Sequence, residues 1–211
     1  MTVVGIVPAG GRGERLGADR PKAFVVLAGR PLLDWCLEAL APACERVVAA
    51  VPEGYEAPPD RVVGGRWRSE SVRNALLAAP EAEVVVVHDA ARPLVTPALV
   101  ERCVAALEGV DGAIAAAPLS DTVKEADIRG LVARTLDRSS LWAVQTPQVF
   151  RADALRGALD VPDERLAAAT DDASLVDAAG GSVRLVEAPR ENIKITGEAD
   201  LRVAEALLRA D

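Results

Sequence analysis

Residues 3–17 read Val3-Val4-Gly5-Ile6-Val7-Pro8-Ala9-Gly10-Gly11-Arg12-Gly13-Glu14-Arg15-Leu16-Gly17, and Arg20-Pro21-Lys22 follow shortly after. The apolar run that ends at Pro8 predicts a buried strand. The glycines behind it let the backbone approach a ligand closely and turn N–H groups toward it. Arginine and lysine add positive charge. The stretch therefore predicts a strand that runs into a polyphosphate-binding loop, and a structural turn that needs glycine is the alternative.

This loop matches neither of two common nucleotide-binding motifs. A Walker A loop requires Gly-x-x-x-x-Gly-Lys-Ser/Thr, which the sequence lacks. The dinucleotide fingerprint requires Gly-x-Gly-x-x-Gly, and although Gly11 and Gly13 fit, Leu16 occupies the last position. The sequence therefore argues against a P-loop ATPase and against a simple NAD site.

Length and composition limit the class of protein. The chain has 211 residues, 50% of them hydrophobic, which suits one domain spanning residues 1–211. No apolar run is long enough to cross a membrane, and no leader precedes Val3, so we expect a cytoplasmic protein without membrane contact. The net charge of −8 argues against nucleic-acid binding. The cysteines show no metal spacing and are expected to be reduced thiols in the core; they are Cys36, Cys44 and Cys103.

Strands and helices alternate along the chain, which predicts an α/β fold with a mostly parallel sheet. Strands are predicted at 46–51, 83–87, 112–117 and 182–187, of which 46–51 is expected to be buried and 83–87 to be central and buried on both faces. A short extended piece is predicted at 192–195. Polar residues before apolar periodic runs predict helix caps at Ser69 or Ser71, Thr96, Thr170 and Thr196. Between Pro118 and Phe150 the pattern changes, and two short strands around the turn 127–130 predict a β-hairpin outside the main sheet.

An ordered set of motifs resembles the 2-C-methyl-D-erythritol 4-phosphate cytidylyltransferase family across nearly the whole chain. After the entry loop with Pro21-Lys22 it comprises His88-Asp89-Ala90-Ala91-Arg92-Pro93, Asp121-Thr122-Val123-Lys124, Asp137-Arg138, Thr146-Pro147-Gln148, Thr170-Asp171-Asp172-Ala173-Ser174 and Asn192-Ile193-Lys194-Ile195-Thr196. The ribitol 5-phosphate cytidylyltransferases share most of these motifs. The resemblance implies a Rossmann-like nucleotidyltransferase fold in which a β-arm within residues 118–150 protrudes and joins two subunits into a homodimer.

The resemblance also implies the reaction. A phosphate oxygen of a polyol phosphate attacks the α-phosphorus of CTP, and pyrophosphate leaves. With methylerythritol 4-phosphate as acceptor this is a step of the non-mevalonate isoprenoid pathway; ribitol 5-phosphate is the alternative acceptor. Positioning and positive charge do most of the work in such transfers. The attacking oxygen is already anionic, so no catalytic base is needed, which suits a chain with one histidine.

By resemblance, Arg15 and Lys22 are the catalytic cations at the α- and β-phosphates, and Arg138 and Lys194 are catalytic cations that hold the acceptor phosphate. The nucleotide-binding residues are Pro8, Ala9, Gly10, Gly11, Gly64, Gly65, Ser71 and Asp89. The acceptor-binding residues are Thr122, Arg138, Thr146, Thr170 and Lys194. If the arm crosses to a neighbouring subunit, Thr122 and Arg138 serve that subunit's site.

Asp89 follows the most apolar strand at its carboxyl end, where α/β sheets bind ligands. Its carboxylate is expected to hold the ribose or a phosphate-bound Mg²⁺, the implied cofactor, and pairing with Arg92 is the alternative. We expect His88 to be structural and Arg92 to form a salt bridge, with a phosphate contact as the alternative for Arg92. Arg66 and Trp67 depart from the family's usual residues after the glycines, and Trp67 is expected either to stack on a ligand or to cover the loop.

Two other classes of function are compatible with parts of this pattern. A nucleotide-binding protein without turnover would not need both Arg15 and Lys22. A glycosyltransferase of similar fold usually carries an Asp-x-Asp metal motif, and here Asp171 and Asp172 are adjacent instead. Cytidylyl transfer is the preferred interpretation.

Overall fold

The structure is a computed structural model that describes residues 1–11, 20–55 and 60–209. The strands are β1 Val3–Pro8, β2 Val26–Leu27, β3 Arg30–Pro31, β4 Arg46–Val51, β5 Arg61–Val63, β6 Val84–Val87, β7 Gly112–Pro118, β8 Lys124–Ala126, β9 Val132–Thr135, β10 Trp142–Arg151 and β11 Val183–Glu187. The α-helices are α1 Leu32–Leu40, α2 Arg68–Leu77, α3 Pro97–Ala105, α4 Ala152–Leu159, α5 Asp163–Ala168, α6 Asp172–Ala178 and α7 Glu198–Leu208. In this part of the chain, no helix is long and apolar enough to cross a membrane.

In the described ranges, seven strands form one sheet in the order β11-β7-β10-β6-β1-β4-β5. The neighbours β4–β5, β1–β4, β1–β6 and β7–β11 are parallel, whereas β10 is antiparallel to both β6 and β7. The predicted mostly parallel α/β sheet is confirmed, and β6 is its central strand. All four valines of β6 are buried, as a strand covered by helices on both faces requires.

Helices cover both faces of the sheet. On one face α1 and α3 bury Leu33, Leu40 and Val100 against the sheet. On the other face α2, α4 and α6 bury residues such as Val72 and Leu155. Because β1 and β6 are parallel neighbours, the residues after both strands meet at the same sheet edge.

The predicted hairpin is present as β8 and β9, which pair only with each other among the described strands. However, the segment predicted to lie outside the main sheet, residues 118–150, was too long. Residues 142–151 belong to β10, a ten-residue strand inside the main sheet. This strand was not predicted because Gln145, Thr146 and Pro147 interrupt its apolar pattern. The pairing register is irregular at these residues, and the Thr146–Pro147 peptide bond is cis. The hairpin and its flanks therefore leave the sheet over residues 119–141.

One helix cap was predicted correctly and three were wrong. Thr96 caps α3, since its Oγ1 accepts a hydrogen bond from the Leu99 amide. Helix α2 has Trp67 at the capping position and no side-chain cap, while α6 is capped by Asp171, one residue after Thr170. Gly197 holds the capping position of α7, and Thr196 instead donates to Asp200. Residues 192–195 lie in no strand.

The three cysteines are buried free thiols, as predicted. Burial raises the pKa of Cys44 and Cys103 to about 12 and that of Cys36 higher still, with Asp89 adding to the effect at Cys36. They are therefore protonated near neutral pH and act as small apolar core residues.

Candidate active site

A cavity of about 540 Å³ opens where β1 and β6 end. Residues 8–11 form one wall, and the start of α2 and the segment after β6 form others. The lining residues are Pro8, Ala9, Gly10, Gly11, Lys22, Ala23, Gly65, Arg66, Trp67, Arg68, Ser71, Asp89, Ala90, Ala91, Lys194 and Thr196. The structure thus brings most of the predicted nucleotide-binding residues to one cavity; Gly64 is not among the lining residues, and Arg15 lies outside the described residues.

Lys22 reaches this cavity because of a short local turn. Residues 22–24 form a 3₁₀ turn, and the Lys22 amide donates to the Gly11 carbonyl at 2.9 Å, which holds the lysine against the glycine loop. The ammonium group also contributes to lowering the pKa of Asp200, after the hydrogen bonds from Thr196 and Gly197. The main chain of Lys22 is therefore fixed beside Gly11, and the residue borders the cavity.

Ser71 shapes the opposite wall. Its Oγ accepts from the Gly65 amide at 3.0 Å and donates to the Trp67 carbonyl at 3.1 Å, so it fixes the loop before α2 and does not cap the helix. A side chain at Gly65 would clash, since a Cβ there would lie 2.3 Å from Cγ of Glu70. The Arg66 guanidinium lies over the Trp67 ring at 4.7 Å from its centre. Trp67 is thus covered by its neighbour and still borders the cavity.

A row of four alternating charges stands at the back of the cavity. Arg68 Nη1 donates to Asp172 Oδ2 at 2.6 Å, and Arg68 Nε donates to Asp89 Oδ1 at 2.9 Å. Lys194 Nζ donates to the other oxygen of Asp89 at 2.7 Å. Asp89 is therefore paired with Arg68 and Lys194, and the predicted alternative, a pair with Arg92, is wrong.

Interactions between neighbouring charges in this row shift the pKa values of its side chains. Burial alone would raise the pKa of Asp89, but Arg68 and Lys194 outweigh it and hold that pKa well below its usual range. Burial works against the charge of Arg68 as well, yet Asp172 and Asp89 raise its pKa. For the fully buried Asp172, burial raises the pKa and Arg68 opposes that rise. Each charge in the row thus depends on its neighbour.

His88 is buried and structural, as predicted. Its Nε2–H donates to the Arg92 carbonyl at 3.0 Å, because a carbonyl oxygen only accepts. Its Nδ1 then accepts from the Thr146 hydroxyl at 3.0 Å, and that hydroxyl accepts from the Asp89 amide at 3.0 Å. Burial lowers the pKa of His88 to about 4, so the ring is neutral near pH 7.

Arg92 was expected in a salt bridge, and this expectation is wrong. Its Nη1 donates to the Asn192 main-chain carbonyl at 2.7 Å, and the described residues contain no carboxylate within ion-pair distance of it. Arg92 therefore ties the segment after β6 to the segment that carries Lys194.

A second cavity of about 380 Å³ lies on the other side of the charged row. Its lining residues are Arg68, Asp89, Arg92, Val144, Gln145, Thr146, Gln148, Thr170, Asp171 and Lys194. Three of the predicted acceptor residues, Thr146, Thr170 and Lys194, thus lie together. Thr122 and Arg138 line neither cavity; Arg138 is exposed on the arm and donates to the Ser120 carbonyl. Arg68, Asp89 and Lys194 border both cavities.

The side chains at the cavity offer few ligands for Mg²⁺. In the described ranges no group of three histidine, cysteine or acidic side chains is placed to hold a metal. Asp89 is a single carboxylate at the cavity, and Mg²⁺ is commonly bound by one or two carboxylates together with substrate phosphates. The site therefore fits Mg²⁺ only if the phosphates supply most of the ligands.

Two residues of this site were missed by the sequence reasoning. Arg68 follows Trp67 and belongs to no motif of its own, and Asp172 appeared only within the motif at residues 170–174 and as the neighbour of Asp171. They lie 104 residues apart, and nothing local indicates that their side chains meet. The sequence offered one indication: Arg68 and Asp172 each lie in a segment that contributes other predicted site residues.

Comparison with known proteins agrees with this geometry. The sequence model of the 2-C-methyl-D-erythritol 4-phosphate cytidylyltransferase (IspD) family matches residues 3–210. Relatives of that name include one from Rubrobacter xylanophilus, 48% identical with 98% of this chain and 95% of the relative covered, and one from Nocardia farcinica, 46% identical with 98% and 94% covered.

The crystal structure of the 2-C-methyl-D-erythritol 4-phosphate cytidylyltransferase from Thermus thermophilus superposes with a TM-score of 0.85 at 38% identity, covering 99% of this chain and 100% of the other. Sequence and structure thus agree over nearly the full length. The chain belongs to the 2-C-methyl-D-erythritol 4-phosphate cytidylyltransferase family.

Proposed function

We propose that this protein forms 4-diphosphocytidyl-2-C-methyl-D-erythritol and pyrophosphate from CTP and 2-C-methyl-D-erythritol 4-phosphate, as a cytoplasmic enzyme of isoprenoid biosynthesis. One observation carries the proposal beyond family membership. Two cavities share a wall made of the charged residues Arg68, Asp89 and Lys194 at the carboxyl edge of the sheet. A transferase that joins two phosphorylated substrates needs two such sites with charged groups between them.

The larger cavity takes CTP. Backbone amides of Gly10 and Gly11 offer donors to the triphosphate, whereas the Ala9 amide already donates to the Ala50 carbonyl at 2.7 Å. Lys22 offsets the negative charge that develops as pyrophosphate leaves. By family resemblance Arg15 shares this role. Ser71 and Gly65 form the end of the cavity that holds the base. Trp67, which carries Arg66 on one face, closes that end.

The smaller cavity takes the polyol phosphate. Its phosphate is attracted by Lys194, while Thr170 offers a hydroxyl to the sugar chain. Thr146 contributes differently, because its hydroxyl is already bonded to His88 and to the Asp89 amide and so fixes the wall. The neutral, buried His88 takes no proton from the substrate, and none needs to be taken from an anionic phosphate oxygen.

Mg²⁺ is proposed as cofactor, with Asp89 as its protein ligand. When bound, the ion would neutralise charge on the triphosphate. We assign the metal contact to the Asp89 oxygen that accepts from Lys194, because the other oxygen is held by the more buried Arg68. Lys194 is half-exposed, so its side chain is able to move toward the acceptor phosphate.

We further propose a homodimer joined through the arm. Ile128, Leu131 and Val132 are exposed apolar residues on this hairpin, and an isolated hairpin is marginal in water without a partner. Thr122 and Arg138 are also on this segment, away from both cavities of their own chain. Contribution of these two residues to the neighbouring subunit would complete the acceptor site.

Pyrophosphate release tests the function. Purified protein with CTP and Mg²⁺ is given either 2-C-methyl-D-erythritol 4-phosphate or ribitol 5-phosphate at equal concentrations. We expect higher kcat/KM with the methylerythritol substrate. Higher kcat/KM with ribitol 5-phosphate would assign the alternative acceptor, and binding of CTP without pyrophosphate release in either case would indicate a nucleotide-binding protein.

A further inference from the structure

Asp172 is a buried carboxylate that the reaction as described does not use. Its side chain is fully buried, and it lies at the first position of α6. Oδ2 accepts from Arg68 at 2.6 Å, while Oδ1 is buried without a hydrogen-bond partner among the described residues. Burying an ionised carboxylate is costly unless it is paired. Within the described ranges, Arg68 is the one cation within ion-pair distance of this carboxylate.

Arg68 is the residue through which Asp172 reaches the site. Its planar guanidinium donates from Nη1 to Asp172 and from Nε to Asp89, so two carboxylates fix the orientation of one rigid fork. Arg68, Asp89 and Lys194 border both cavities, whereas Asp172 borders neither. Among the described residues, Arg68 is therefore the hydrogen-bonded link between Asp172 and the two cavities.

Charge in the row explains why a carboxylate is needed there. With both carboxylates ionised, the formal charges of the row add up to zero: two negative, on Asp172 and Asp89, and two positive, on Arg68 and Lys194. Without the charge of Asp172, the row would hold two cations for one carboxylate, and Arg68 and Lys194 would compete for Asp89. A neutral residue at position 172 would thus change the orientation of the Arg68 guanidinium. It would also weaken the ion pair between Asp89 and Lys194.

We propose that Asp172 is a positioning residue for cytidylyl transfer, which acts by holding Arg68 between the two substrate cavities. This inference rests on the proposed function. It goes beyond the family's phosphate-binding residues because Asp172 contacts neither cavity.

The first measurement is steady-state kinetics of Asp172→Asn, which keeps the shape and removes the charge. We expect kcat to fall roughly 10- to 100-fold, as for other residues that orient a site from behind. The KM for CTP should change much less, because the glycine loop and Lys22 are untouched. Asp177→Asn, an exposed carboxylate on the same helix, is the matched control and should behave as wild type.

The decisive comparison is between Arg68→Gln and Arg68→Gln/Asp172→Asn. If Asp172 acts through Arg68, the double variant should have the same kcat as Arg68→Gln within about twofold. It should also unfold at a higher temperature, because Arg68→Gln alone leaves a buried charge without its partner. A double variant that is a further tenfold slower, or less stable than Arg68→Gln, would overturn the proposal.

This comparison does not depend on the folding of the Asp172→Asn single variant. It also separates the two claims. A wild-type chain that forms no product refutes the proposed function, and the unfolding temperatures of the two Arg68 variants still show whether Asp172 and Arg68 depend on each other.

Discussion

At the scale of single residues, buried polar side chains hold the main-chain segments that carry Asp89 and Lys194. His88 bonds the Arg92 carbonyl and Thr146, and Thr146 accepts from the Asp89 amide. Arg92 then reaches the Asn192 carbonyl, two residues before Lys194. The pairing of Asp89 with Lys194 therefore rests on main-chain segments that buried polar groups fix.

His88 predicts a pH dependence of stability. Burial lowers its folded pKa to about 4, below the ~6.5 of an unfolded histidine. As the pH falls through 6.5, the unfolded chain takes up the proton first, so stability is lost between pH 6.5 and 4. The loss from this group is about 3 kcal/mol.

The measurement is urea unfolding of the apo protein at pH 7, 6, 5 and 4. His88 is the only histidine in the sequence, so His88→Gln should remove this part of the slope while keeping a donor and an acceptor. Parallel stability curves for wild type and variant would show that the ring is not held neutral by burial.

The row also shows how far sequence reasoning reaches at this scale. Lys22, Asp89 and Lys194 were predicted as site residues because they sit in recognisable motifs. The pairing of Asp89 with Arg68, and of Arg68 with Asp172, was not predicted, because each contact joins segments far apart in the chain. Which cation meets which carboxylate depends on how α2 and α6 pack against the sheet.

At the scale of elements, apolar strands were the most predictable feature. Strand β4 was predicted at the observed residues, and β6 within one residue, because their side chains are almost all apolar. Strand β10 was missed because polar residues from the site lie within it. Caps were also poorly predicted, since Ser69 turns away to bond the Leu166 carbonyl at 2.6 Å. Tertiary partners decide which of several polar residues caps a helix.

The cap of α3 gives a prediction at this scale. Thr96 Oγ1 accepts from the Leu99 amide at 3.3 Å, and Pro97 occupies the first helical position. Thr96→Ala should cost about 1 kcal/mol of unfolding free energy, whereas Thr96→Ser should retain most of it. Chemical denaturation measures both. Because Thr96 borders neither cavity, kcat should not change; a loss of kcat with unchanged stability would contradict this assignment.

At the scale of the whole molecule, the proposed homodimer explains why Thr122 and Arg138 lie apart from their own chain's acceptor cavity. The sequence indicated the hairpin but not its direction, because a hairpin's orientation depends on what it packs against. The family resemblance supplied the expectation that it crosses to a partner.

Mixing two inactive variants tests the crossed arm. Arg138→Ala removes a cation that we assign to the neighbour's site, and Lys22→Ala removes one from its own site. A mixed dimer would hold one site with both defects and one intact site, so activity should return on subunit exchange. The control is each variant alone after the same treatment. If exchange is verified by mass and activity stays absent, Arg138 acts within its own chain.

The central claim is that the α-phosphoryl group of a nucleotide in the larger cavity moves to a phosphate in the smaller one. A single-turnover reaction with CTP labelled at the α-phosphorus, in the presence of 2-C-methyl-D-erythritol 4-phosphate and Mg²⁺, tests it directly. We predict that the label appears in 4-diphosphocytidyl-2-C-methyl-D-erythritol, while label at the γ-phosphorus appears only in pyrophosphate. Recovery of the α-label as CMP, or its retention in CTP, would contradict the account.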